Sequence, residues 1–160
     1  MASTYPIHPG DRLQRALATV LDDSLFSIAA FTGFTAHNDR EWDEVDKPFL
    51  SIQIAESQQP HPRLNVWHVR VTVVMVEDRQ DANQLLAGDT RPRHELRAEN
   101  VSARLFGTWA GEDIAASINA EDNGVTVLKV YGFNVANSTQ TEDDLLTEYS
   151  LTFVCAASEQ

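Results

Sequence analysis

Two groups of residues in this 160-residue chain have types and spacings that could hold a metal ion. His37 stands close to Asp39, and Asp78 stands close to Asp81 with His94 further along. Imidazole nitrogen and carboxylate oxygen together suit a divalent transition metal. Both groups sit in polar stretches, where carboxylates are ordinarily solvated, so we expect loop residues and no metal. The five histidines, His8, His37, His61, His68 and His94, are scattered, and His68 on a strand reads as a surface or interface residue. Ser24, Ser27 and Ser51 have no base at a recognisable spacing. Cys155 falls on the apolar side of a strand pattern, which favours an inert buried thiol over a nucleophile. No G-x-S-x-G, H-E-x-x-H, C-x-x-C or Gly-rich phosphate loop occurs. The expectation is a protein with no catalytic residue, no cofactor and no metal.

Composition narrows the class further. Hydrophobic residues make up 42% and charged residues 22%, which is ordinary for a globular chain. We expect one domain over residues 1–160, with flexible termini at about 1–9 and 157–160. Twelve basic residues stand against 24 acidic ones, for a net charge of −12. Such a chain is poorly suited to gripping a nucleic-acid backbone, which calls for Lys and Arg, or to an anionic membrane surface. One cysteine allows no intrachain disulfide and suits a reducing compartment. The segment MASTYPIHPGDR lacks the basic start and apolar run of a signal peptide, and no stretch approaches the length of a membrane span.

The charge is uneven. Residues 1–60 hold 4 basic and 9 acidic side chains, a net of −5; residues 61–110 hold 7 and 6, a net of +1; residues 111–160 hold 1 and 9, a net of −8. An Arg-rich middle thus lies between acidic flanks.

The elements that must carry these residues follow from periodicity. Leu13, Ala16, Leu17, Val20 and Leu21 recur at helical spacing, with Arg12, Gln14 and Arg15 opposite. The stretch 24–34 is ambiguous between a short helix and a strand ending at Gly33. Residues 35–48 read as a polar, acidic loop. Leu50, Ile52 and Ile54 alternate with Ser51 and Gln53 in a half-buried strand. Trp67, Val69, Val71, Val73 and Met75 share one face of a long strand. Its other face turns from polar at His68, Arg70 and Thr72 to apolar at Val74 and Val76, which calls for cover by a helix or a neighbouring subunit. Glu77–Pro92 reads as a loop, and a helix runs from about Pro92 to Phe106, stopped by Gly107. Residues 108–119 suit a short irregular helix. VTVLKVYGFNV reads as a strand with a bulge at Gly132. In the last strand Tyr149, Leu151, Phe153 and Cys155 face inward. The expected fold is α+β, a mostly antiparallel sheet of about four strands with helices on one face, in the order α-β-β-α-β-β.

Candidate contact residues stand out against this frame. Leu85 and Leu86 lie together in a charged loop, either tucked onto the domain or docked on a partner. Trp42, alone in an acidic stretch, is a candidate anchor of the same kind. Arg79, Arg91 and Arg93 complete the candidate interface. The run Glu142, Asp143 and Asp144 reads first as a solvated turn and second as part of an acidic surface.

Over residues 10 to about 157 the chain resembles the tail terminator or tail completion proteins of tailed bacteriophages. The features that carry the likeness are the helix DRLQRALATVL, the Pro-led strand KPFLSIQI, the turn HPRL and the long strand WHVRVTVVMVEDRQD. The helix RHELRAENVSARLFG and the closing strand YSLTFVCAA complete it. The acidic loop from His37 to Lys47 and the 107–124 region depart from shorter members. The resemblance implies a hexameric ring that caps the head-proximal end of the tail tube and presents a surface for head–tail joining. Its implied partners are copies of itself, the tail tube protein, head completion or connector proteins, and a sheath protein where the tail contracts. It implies assembly in the host bacterial cytoplasm, residence in the virion, and no reaction. DNA would pass through without tight binding, and Glu142, Asp143 and Asp144 would suit an acidic lumen. A head–tail connector or neck ring is the nearest alternative, and a small-molecule-binding α+β domain is the alternative of a different class.

Overall fold

The computed structural model describes residues 10–38, 48–58, 66–106, 113–121, 125–140 and 144–157. Helix α1, Gly10–Leu25, forms where the apolar spacing predicts it. Leu13, Ala16, Leu17, Val20, Leu21 and Leu25 are all buried. Gln14, expected on the polar face, is buried as well, because its Nε2 donates to the Ile52 carbonyl at 2.6 Å and ties the helix to the sheet.

The ambiguous stretch resolves into the end of α1 and a 3₁₀ turn, Ala29–Phe31. There Phe26, Phe31 and Phe34 pack ring against ring. Gly33, at φ 88, turns the chain into the next strand in a conformation that side chains with a Cβ resist. The strands are β1, Thr35–Asn38; β2, Phe49–Gln58; β3, Val66–Asp78; β4, Val125–Gln140; and β5, Asp144–Ala157. The helices after β3 are α2, Arg79–Ala82; α3, Arg93–Phe106; and α4, Ile114–Glu121.

The sheet has five strands in the order β1-β2-β3-β5-β4, and β1 runs parallel to β2. This corrects the expectation of about four mostly antiparallel strands in the order α-β-β-α-β-β. The sheet is mixed, β1 precedes the first expected strand, α2 interrupts the stretch that reads as a loop, and α4 stands where the sequence suits a short helix. Strand β1 has no sequence pattern to announce it. It is four polar-to-small residues long, and it exists because β2 offers an edge to pair with.

The four strands that the alternation marks pair antiparallel, β2 with β3 and β4 with β5, and β3 and β5 join the two pairs. The β4 register shifts between Gly132 and Val135, where the glycine suggested a bulge.

Val69, Val71, Val73 and Met75 of β3 and Tyr149, Leu151, Phe153 and Cys155 of β5 fill one side of the sheet and pack with residues from α1, α3 and α4. The apolar end of the opposite face is closed within the chain. Phe49, Val74 and Val76 are buried as a second small core with Leu146 against them. Register explains this, since Phe49 and Leu146 flank Val76 on its two sides.

Candidate functional site

The densest group of ionisable side chains described lies where β3 runs into α2 and meets the start of α3. Asp78 caps α2, its Oδ1 accepting from the backbone of Gln80 at 2.9 Å and of Asp81 at 3.1 Å. Glu77, one residue earlier, points to the core side and is fully buried. A carboxylate there needs partners for both oxygens. Arg97 Nη1 donates to its Oε1 at 2.9 Å, and His94 Nδ1 lies 2.6 Å from its Oε2.

Arg97 is the centre of the group. Its Nη2 donates to Asp81 Oδ2 at 2.9 Å and its Nε to the Ala30 carbonyl at 2.6 Å, while its guanidinium stacks 4.8 Å from the Phe34 ring centre. Arg93 Nη1 takes the other Asp81 oxygen at 2.6 Å. One guanidinium therefore joins β3, α2, α3 and the 3₁₀ turn. The burial of Asp81 pushes its carboxyl up, but the Arg97 and Arg93 guanidiniums outweigh that and hold it below the usual carboxylate range. Burial, with the charge of Glu77, holds the Tyr149 phenol above its ordinary value.

The constellation Asp78, Asp81 and His94, singled out as conceivable metal ligands, is thus divided among other tasks. Asp78 caps a helix, Asp81 binds two arginines and His94 binds Glu77. Among the described residues no group of three or more His, Cys, Asp or Glu is placed to hold a metal. Of the pair His37 and Asp39, only the backbone of His37 in β1 is described.

Ser24 accepts from Arg104 Nε at 2.9 Å, and Ser117 accepts from Arg104 Nη2 at 2.8 Å. Arg104, like Arg97, is almost wholly buried. The seven-residue step between them puts both on the inward face of α3. Val101 and Leu105 are buried on the same face, and apolar spacing alone does not reveal the two arginines beside them. Their hint was two long cations seven residues apart on an apolar stripe.

The cluster brackets a loop. Asp81 lies before it and Arg93, His94 and Arg97 after it, so the ion pairs close its base. Leu85 and Pro92 form a bridge, Arg93 N donates to the Gln84 carbonyl at 2.8 Å, and Asp89 N donates to the Leu86 carbonyl at 2.9 Å. Gly88 makes the tip turn at φ 84. Arg91 pairs with Glu99 and with Asp89. These two carboxylates raise the Arg91 guanidinium above its usual value, and the Arg91 backbone N–H and side chain lower Asp89.

The two leucines part company here. Leu86 packs on the main core, whereas Leu85 is 57% exposed. Of the other expected contact residues, Arg93 turns inward to Asp81, Arg91 holds the loop, and Arg79 is exposed on α2. Asp144 opens β5, in register with Asp78. Trp42, Glu142 and Asp143 lie outside the described residues. The structure therefore brings Arg91, Arg93, Leu85 and Leu86 to one loop and leaves Asp144 on the adjoining strand end.

Among the described residues no helix is long and apolar enough to cross a membrane. An open cleft of about 340 Å³ lies elsewhere, lined by Arg12, Arg15, Ala16 and Thr19 of α1 and Glu121 of α4. No protein-family model matches the chain, and comparison with curated proteins finds no significant relative.

Proposed function

We propose that the protein is a structural subunit of the tail-terminator kind, self-associating into a hexameric ring that caps a phage tail tube and offers a surface for head–tail joining. The observation that carries this reading is the bracketed loop. Five ionisable side chains at its base pair with one another, and the outcome of that arrangement is a braced loop that carries Leu85 into solvent. A fixed apolar side chain on a polar loop suits docking, because little ordering remains to be done on contact.

The ring would not rest on exposed arginines alone. Of the seven basic residues between 61 and 110, Arg97 and Arg104 are buried, and Arg91 and Arg93 are paired within the chain. The exterior is left more acidic than the composition of that segment suggests. This favours a channel that repels phosphate and weighs on the side of apolar contacts between subunits.

A ligand pocket between sheet and helices is disfavoured, since Leu13, Leu17, Leu21, Val71 and Phe153 are buried there in one core. A neck or connector ring would share the same loop and differ only in its partner. The test is the mass of the purified protein, with electron microscopy of the protein alone and mixed with tail tubes. Hexamers, or rings that appear only at tube ends, support the reading. A monomer that leaves tubes uncapped refutes it, and rings that bind connectors but never tubes transfer it to the neck.

A further inference from the structure

We draw no further inference here: the strongest candidate, the outer edge of β4, which among the described residues pairs with β5 alone and has no charged residue from Val130 to Gln140, carries nothing because nothing in the structure shows what covers it.

Discussion

Replacing Arg97 by Met isolates the contribution of the charged cluster. The side chain keeps its length and apolar stem but loses its contacts to Glu77, Asp81, the Ala30 carbonyl and the Phe34 ring. Glu77 stays fully buried with His94 as its remaining partner, and the Ala30 carbonyl loses a 2.6 Å donor. Removing one member of a buried ion pair costs about 3–5 kcal/mol, because the other charge is left desolvated and uncompensated. The His94 contact that Glu77 keeps holds the loss toward the lower end of that range, and the lost carbonyl bond pushes it up.

For a chain of this size about 2–4 °C accompanies each kcal/mol, so the thermal midpoint should fall by about 6–20 °C. The assay is urea unfolding, with the midpoint read at constant slope. The companion variant Glu77→Gln with Arg97→Met removes both charges. Its cost should fall short of the sum of the two single changes by roughly 1–3 kcal/mol. A loss below about 1 kcal/mol for Arg97→Met, or strict additivity in the cycle, would show that the cluster does not brace the loop.

The acid limb gives a related expectation. The folded Asp81 carboxyl lies below its ordinary 3.8, so its contribution is present above that value and is lost as pH falls through the folded value. Wild type should therefore lose more stability on acidification than Arg97→Met, and parallel acid titrations of the two would contradict the pairing. Phe153→Ala should cost about 3–5 kcal/mol, since it opens a cavity in the main core; a denaturant midpoint that barely moves would mean the inward face is misassigned. Leu86→Ser should lower the thermal midpoint by several degrees, whereas Leu85→Ser should leave it unchanged; equal effects would undo the division between the two. Cys155, with its thiol pushed up to about 12 by burial, should resist alkylation in the native protein and react on unfolding; rapid native labelling would count against its burial.

Local pattern alone determined the amphipathic α1, the alternating faces of β2, β3 and β5, the limits of α3 to within a residue, and the bulge near Gly132. Each of these depends on neighbours along the chain or on a period of two or 3.6 residues, and such periods are written in the sequence. Tertiary structure alone decided the rest. Strand β1 is four residues without apolar alternation, and it pairs only because β2 arrives beside it. The inward turn of Arg97 and Arg104 depends on partners 20 residues away at Glu77 and 80 away at Ser24, which no window along the chain contains. Asp78, Asp81 and His94 looked alike as ligands in the sequence. Their separate roles were set by where β3 gives way to α2 and by where α3 begins. Leu85 and Leu86 are adjacent and chemically identical, and only the closure of the loop base by Asp81, Arg93 and Arg97 put one in the core and the other in solvent.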